Sequence, residues 1–197
     1  MKFVGIDLAG SEKRETGFCV MDEKLFVETK VLFKDREIVK EVKKANPKVV
    51  AIDAPLALPK GRPSLAKKYS KFGHLRKCDK ELLKMGIKFF PITLGPMRKL
   101  TERGIKLKKK IEKEGFEVIE TYPGGAQDIL KISRKKDPKK LKEGLERIGI
   151  KGLKKDVSEH ELDAVTCALV GKMYFEGNYL AVGDEKEALL ILPREKK

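Results

Sequence analysis

Residues 2–9 read KFVGIDLA, a short apolar run that a single carboxylate, Asp7, interrupts near its end. The run has the length of a β-strand, and a nearly continuous apolar strand is typical of burial on both faces of a sheet. An aspartate in such a strand costs free energy unless its charge is paired, bound to a metal or placed at the open end of the strand. We therefore expect residues 2–9 to form a central strand in which Asp7 has a specific role.

The same pattern returns twice further along the chain. Residues 50–55 read VAIDAP and place Asp53 after an equivalent apolar triplet, and residues 118–123 read VIETYP, a looser repetition that contains Glu120. Neighbouring strands lie about 4.8 Å apart, so carboxylates at equivalent ends of two parallel strands come within reach of one ion. Ligands of open α/β sheets commonly bind outside the carboxyl ends of the strands. We therefore expect Asp7 and Asp53 to lie side by side, with Glu120 nearby.

The first quarter of the chain predicts an antiparallel meander followed by a helical crossover. Residues 17–21 and 25–33 follow the first strand after short turns, so these three strands are expected to pair in sequence order. Residues 35–45 carry apolar side chains at helical spacing and predict a helix. The fourth strand, residues 48–53, is most naturally parallel to an earlier strand because a helix connects it to the sheet.

The remainder of the chain predicts helices, one further strand and a hairpin. Residues 56–115 begin with many prolines and glycines and continue with helical patterns, and we interpret them as a helical insertion between the fourth and fifth strands. Residues 116–121 predict the fifth strand. A capping box, SEHE at residues 158–161, begins the last long helix. A closing hairpin is expected at residues 179–192.

Length and composition limit the class of protein. The 197 residues are enough for one domain, which we place at residues 1–197. No stretch approaches the ~20 apolar residues of a membrane span, and the first residues lack the apolar core of a signal peptide. Cys19, Cys78 and Cys167 are far apart and form no zinc or CxxC spacing. We expect them to be reduced, and the protein to be cytoplasmic and free of membranes.

The formal net charge of +15 at pH 7 leaves two interpretations open. A large positive charge is typical of proteins that bind polyanions, most simply nucleic acid. Only nine of the 45 basic residues are arginine, however, and lysine and glutamate rise together in heat-adapted proteins. The composition alone therefore favours a nucleic-acid partner and a heat-adapted protein about equally.

Carboxylates that meet at one edge of a sheet indicate a divalent cation. Like charges in close proximity raise pKa values, and a divalent cation relieves their repulsion. Ligation by oxygen alone suits Mg²⁺ or Mn²⁺ better than zinc. Two such ions about 3.5–4 Å apart can activate water and stabilise the leaving oxygen of a phosphodiester. The acids therefore favour metal-dependent phosphodiester hydrolysis, although a lone aspartate at a strand end is more often a cap or a turn residue.

Several other polar residues have both a functional and an ordinary interpretation. Ser11 follows a glycine after the first strand and can cradle a phosphate, although two residues are a weak signal. Arg76 and Lys77 can bind a phosphate or can simply be solvated. His160 lies three residues before Asp163 on the same helix face, where capping and solvent exposure are the alternatives. We take Ser11, Arg76, Lys77 and His160 as candidate substrate-binding residues.

Five short blocks, in order along the chain, resemble the signature of the domain of unknown function 429 family: GIDLA at 5–9, IDAP at 52–55, RKCD at 76–79, ETYP at 120–123 and HELDA at 160–164. That family consists of predicted nucleases with the ribonuclease H-like fold, which the order of predicted elements also resembles. The resemblance implies an α/β domain with a central mixed five-stranded sheet flanked by helices. The insertion at about residues 56–115 and the C-terminal hairpin are then additions to this sheet.

The resemblance also implies a metal site of four catalytic carboxylates, namely Asp7, Asp53, Glu120 and Asp163. Asp7 matches the acid of the first strand, Asp53 that of the fourth strand and Asp163 that of the final helix. Glu120 departs from ribonuclease H itself, whose second acid lies on the first helix, where this chain has Glu37 and Glu41. We prefer Glu120 because its position at a strand end repeats that of Asp7 and Asp53.

Three functions follow from these observations. The first is a nuclease dependent on Mg²⁺ or Mn²⁺, and the second is a module that binds nucleic acid without cleaving it. The third is an ATPase similar to the actin-like enzymes, which also have an acid after the first strand and a Gly/Ser turn. Those enzymes close two such domains around a nucleotide, so this chain would need to form a homodimer. The sequence leaves open DNA or RNA as the partner, and the oligomeric state.

Overall fold

The first strand, β1 (Lys2–Asp7), lies inside a mixed sheet in the computed structural model, which describes residues 1–194. β1 pairs antiparallel with β2 (Thr16–Asp22) on one side and parallel with β4 (Val49–Asp53) on the other. β3 (Val27–Leu32) continues the antiparallel meander beside β2. The last three residues of the predicted domain, 195–197, lie outside the described residues.

The sheet has seven strands, in the order β3-β2-β1-β4-β5-β7-β6, so the prediction of five strands is wrong. β5 (Val118–Thr121) pairs parallel with β4. The predicted hairpin consists of β6 (Tyr179–Asp184) and β7 (Ala188–Pro193), and β7 pairs parallel with β5. The hairpin therefore extends the sheet. Sequence patterns reveal a strand but not its partner, which explains the difference.

Six helices and one short 3-10 helix flank the sheet in the described part of the chain. The 3-10 helix covers Lys67–Phe72. The α-helices are α1 (Asp35–Ala45), α2 (Lys77–Lys84), α3 (Gly95–Lys113), α4 (Pro123–Ile129), α5 (Pro138–Ile148) and α6 (Glu159–Phe175). The 3-10 helix, α2 and α3 lie between β4 and β5, where the sequence predicts the insertion. No helix in residues 1–194 is both long and apolar enough to cross a membrane.

The two faces of the sheet pack against different helices. Val4 and Ile6 share a core cluster with side chains of α1 and α3, such as Ile38 and Leu107. Residues of the other face belong to clusters that contain α6, α4 and α5. The side chains of β1 alternate between the two faces, so Asp7 projects toward α6, as Phe3 does.

Helix α6 crosses the sheet at very close range, which glycines make possible. A Cβ atom added to Gly5 would lie 2.0 Å from the carbonyl oxygen of Ala164, and one added to Gly17 would lie 1.9 Å from that of His160. Only glycine allows such an approach of backbone to backbone. Gly5 of the KFVGIDLA stretch therefore sets the distance between α6 and β1, and with it the distance between Asp7 and Asp163.

Candidate metal centre

Three aspartates converge at the carboxyl ends of the two central parallel strands. Asp7 and Asp53 are register partners at the ends of β1 and β4, and Asp163 lies in the second turn of α6. One carboxylate oxygen from each of the three lies within 4.8 Å of the others. Asp7 and Asp163 are buried, with 6% and 2% of their surface exposed. Among the described residues, these three form the one such group of potential metal ligands.

The proximity of the three carboxylates changes their proton affinities. Burial, and then the charges of Asp7 and Asp163, raise the pKa of Asp53 well above its ordinary range. Burial also raises the pKa of Asp163, and the charge of Asp7 adds to the effect. The site therefore holds more negative charge than its surroundings stabilise. A cation between the three carboxylates would relieve this repulsion.

Lys135 supplies one positive charge to this group. Its Nζ atom lies 3.0 Å from Oδ2 of Asp163 and 4.0 Å from Oδ2 of Asp7. Burial lowers the pKa of Lys135, but the charges of Asp7 and Asp163 outweigh that effect and raise it. The ammonium group of Lys135 therefore partly neutralises Asp7 and Asp163, two of the carboxylates that would bind a cation. Sequence reasoning missed Lys135, which lies in the lysine-rich stretch RKKDPKK and has no distinguishing pattern.

Two further side chains orient the carboxylates. Nδ1 of His160 lies 2.7 Å from Oδ2 of Asp7, and this hydrogen bond raises the pKa of His160 against the opposing effect of burial. Nε2 of Gln127, on α4, donates a hydrogen bond of 2.7 Å to Oδ1 of Asp163. Hydrogen bonds of this kind fix the direction in which a metal ligand points. His160 was a sequence candidate, whereas Gln127 was not.

Glu120 lines the same cavity as Asp7 and Asp53, and its charge contributes to the raised pKa of Asp53, but it is not among the three residues whose ligand atoms lie within 4.8 Å of one another. Glu120 pairs with Ile52 across β4 and β5, and Asp53 pairs with Thr121. Glu120 is therefore one residue out of step with Asp53, and a shift of one residue moves a side chain to the opposite face of a sheet. There Glu120 forms a buried ion pair of 2.8 Å with Arg76 and accepts a hydrogen bond of 2.7 Å from the backbone N–H of Leu56.

The other candidate substrate-binding residues have different surroundings. Arg76 is 2% exposed and also forms an ion pair of 2.8 Å with Asp79, so its guanidinium is engaged by two carboxylates. Lys77 is exposed, and its Nζ atom lies 3.6 Å from Asp184. Ser11 lies beside the aspartates, and its carbonyl oxygen accepts a hydrogen bond of 3.0 Å from Arg103. Ser11 and Arg76 both line the cavity beside the aspartates, whereas Lys77 does not, and the guanidinium of Arg76 is already paired with two carboxylates.

A cavity of about 630 Å³ opens in front of the aspartates. Asp7, Asp53, His160 and Lys135 line it, together with residues of the insertion between β4 and β5. Basic side chains lie at its margin, on the loop after β1 and on α3: Arg14 and Lys99. The volume is within the usual range for sites that bind small ligands, about 300–1,000 Å³.

The strand order and the carboxylates at the ends of β1 and β4 define an α/β protein of the ribonuclease H-like fold. The family model described as a protein of unknown function, DUF429, matches residues 5–188, and the chain belongs to that family. This match confirms the family that the five sequence blocks predicted. No curated protein matches the chain significantly.

Solved structures with the same fold include RuvC. The chain matches Thermus thermophilus RuvC in complex with a Holliday junction substrate at a TM-score of 0.55 and 15% sequence identity, over 96% of this chain and 100% of that one. A further Thermus thermophilus RuvC structure matches at a TM-score of 0.48 and 13% identity, over the same shares of the two chains. At 15% identity the likeness to the first of these structures establishes the fold, and the activity has to be argued from the site.

Proposed function

We propose that the protein is a nuclease that hydrolyses phosphodiester bonds with Mg²⁺ or Mn²⁺. The observation that carries this proposal is the convergence of Asp7, Asp53 and Asp163, whose ligand atoms lie within 4.8 Å of one another. That spacing fits oxygen ligands around one hard cation, because such ligands lie about 2.0–2.6 Å from the ion. The raised pKa of Asp53 and the ammonium of Lys135 both indicate that the site favours added positive charge.

Each residue of the site has a distinct role in this proposal. Asp7, Asp53 and Asp163 would hold the cation, which at such a site can activate water and stabilise the leaving oxygen of a phosphodiester. His160 and Gln127 orient the carboxylates that they contact. Lys135 lines the cavity with its ammonium beside Asp7 and Asp163, and would contact a phosphate bound there. Glu120 maintains the fold around the site through its ion pair with Arg76.

Charge and fold support nucleic acid as the partner. The chain carries a net charge of +15, and Arg14 and Lys99 lie at the margin of the cavity. The RuvC structure that shares the fold is described as a complex with a Holliday junction substrate, so branched DNA belongs among the substrates to be tested. Because the three cysteines are all free and buried, a reducing compartment such as the cytoplasm suits the protein.

A panel of nucleic acids tests the proposal. Single-stranded, duplex, hybrid and four-way branched substrates are incubated with Mg²⁺, Mn²⁺ or a chelator, using wild type, Asp7→Asn and Asp156→Asn. Asp156 is an exposed residue of the turn before α6 and serves as the matched control. We expect wild type and Asp156→Asn to cleave at least one substrate with a metal, and Asp7→Asn to have lost the activity. Binding that persists in chelator without any products would instead favour a non-catalytic module.

A further inference from the structure

The cavity in front of the aspartates combines two kinds of surface. Charged groups line it, among them Asp7, Asp53 and Lys135, and apolar side chains of the insertion between β4 and β5 line it as well. We call the following apolar side chains the apolar wall: Phe89, Phe90, Ile92, Met97 and Leu100. A site for a phosphate alone would not need such a wall. The ligand is therefore expected to carry an apolar part beside its anionic part.

Phe90 is the most accessible member of the apolar wall. It is 69% exposed, which is the largest exposure of any large hydrophobic side chain in the described residues. Exposed apolar surface beside a charged pocket commonly marks a binding site. An accessible aromatic ring offers a flat face to a ligand, and nucleobases stack on such rings whatever their identity.

The geometry of nucleic acids limits which substrate can use both surfaces. In a continuous duplex the bases are stacked inside the helix, and phosphates and sugars cover the outside. A phosphate of such a duplex could reach the aspartates, but its bases could not reach an aromatic ring in the same cavity. A base that has left the stack can do so, as in single strands, loops and bulges.

We infer that the apolar wall, with Phe90 as its stacking platform, receives one unpaired base next to the phosphate held at the aspartates. The substrate class is therefore nucleic acid with an unpaired nucleotide at the cleavage position, in preference to continuous duplex. Arg14 and Lys99, at the margin of the cavity, lie where they can contact the neighbouring phosphates. This inference rests on the proposed nuclease function, because it places the phosphate at the aspartates.

Binding of two oligonucleotides by matched variants tests the inference. A fluorescently labelled single strand and the perfect duplex of the same sequence are titrated with protein at one fixed salt concentration. Ca²⁺ replaces Mg²⁺, so that the oxygen ligands are occupied under conditions chosen to suppress cleavage. The variants are Phe90→Ala, Phe90→Tyr and Phe26→Ala. Phe26 is 50% exposed at the end of the turn before β3 and serves as a control for loss of an exposed ring.

We expect Phe90→Ala to weaken binding of the single strand by about five- to a hundredfold, the usual effect of removing one stacking platform. Binding of the duplex should change by less than about twofold under the same stacking argument. Phe90→Tyr should retain the wild-type affinity, and Phe26→Ala should leave both affinities unchanged. Equal losses for single strand and duplex, or no loss for either, would overturn the inference.

The outcome separates this inference from the proposed function. If wild type binds single strands through Phe90 but cleaves no substrate with Mg²⁺ or Mn²⁺, the nuclease proposal fails and the base-binding wall remains. If wild type cleaves and Phe90→Ala cleaves and binds equally well, the nuclease proposal remains and the wall is excluded as a base-binding surface.

Discussion

Asp7 and Asp53 are direct register partners on the parallel strands β1 and β4, and both project from the same face of the sheet toward α6. This pairing brings two buried or half-buried carboxylates together before Asp163 adds a third. In a protein without a bound cation, such an arrangement is unfavourable for folding. The three aspartates therefore trade stability of the metal-free fold for the binding of positive charge.

Replacement of Asp53 by asparagine is expected to stabilise the metal-free protein at neutral pH. The pKa of Asp53 is raised in the folded state, so its favourable contribution is complete below the unfolded pKa of about 3.9 and is lost as pH rises through the folded pKa. Asparagine removes the charge responsible for that loss. Thermal unfolding in EDTA at pH 7 should show a Tm a few °C higher, because about 1 kcal/mol corresponds to ~2–4 °C in a chain of this size.

The same variant should lose the stabilisation that a metal gives. Saturating Mn²⁺ should raise the Tm of wild type and of the exposed control Asp156→Asn, and should leave Asp53→Asn nearly unchanged. A higher Tm for Asp156→Asn in EDTA, or an equal response of Asp53→Asn to Mn²⁺, would contradict this account of the site.

Metal affinity is expected to fall as pH falls. Protonated carboxyl groups do not bind the cation, and the pKa values of Asp53 and Asp163 are both raised. Affinity for Mn²⁺, measured by calorimetry between pH 5 and 8 in buffers of different ionisation enthalpy, should rise with pH and be accompanied by proton release. An affinity that does not change over this range, without proton release, would show that the two carboxyl groups have ordinary pKa values.

Replacement of Lys135 by methionine should lower the Tm in EDTA by a few °C, because the ammonium is the positive charge nearest to Asp163. It should also enlarge the rise in Tm caused by Mn²⁺, since the cation then meets carboxylates that no ammonium neutralises. The neighbouring Lys136 is exposed, and Lys136→Met should behave as wild type. If the two lysine variants respond alike, Lys135 does not neutralise the site.

Arg76 is predicted to stabilise the fold, not to bind a phosphate. Arg76→Met would leave Asp79 and Glu120 buried without their shared partner, and loss of one member of a buried ion pair costs about 3–5 kcal/mol. Urea denaturation should show a loss of this size, whereas the exposed neighbour Lys77→Met should unfold as wild type does. A stable Arg76→Met protein with weakened binding of nucleic acid would contradict the structural role and support phosphate binding.

The recurring apolar strands were sufficient to predict the pairing of Asp7 with Asp53. Both acids end strands of equal pattern, and the helical crossover made those strands parallel, so register followed from the sequence. Glu120 shows the limit of this reasoning. In β5 the acid lies one residue earlier than in β4, so Glu120 pairs with Ile52 and not with Asp53. Successive residues of a strand point to opposite faces, so an offset of one residue places the side chain of Glu120 on the other face of the sheet.

Long-range contacts explain what the sequence could not predict. Asp163 was identified from the resemblance alone, because α6 is buried on nearly every side and its apolar residues do not mark one face. Lys135 and Gln127 reach the site from a loop and a short helix that are distant in sequence from the aspartates. The place of the hairpin in the sheet depends on the pairing of β7 with β5, for which neither strand carries a local signal.

Anomalous scattering from crystals soaked in Mn²⁺ would locate the cation itself. We expect an anomalous difference peak within ligand distance, about 2.0–2.3 Å, of carboxylate oxygens from Asp7, Asp53 and Asp163, and no such peak in crystals of Asp7→Asn. A wild-type crystal with manganese bound elsewhere, and none between these three carboxylates, would contradict the account of the site.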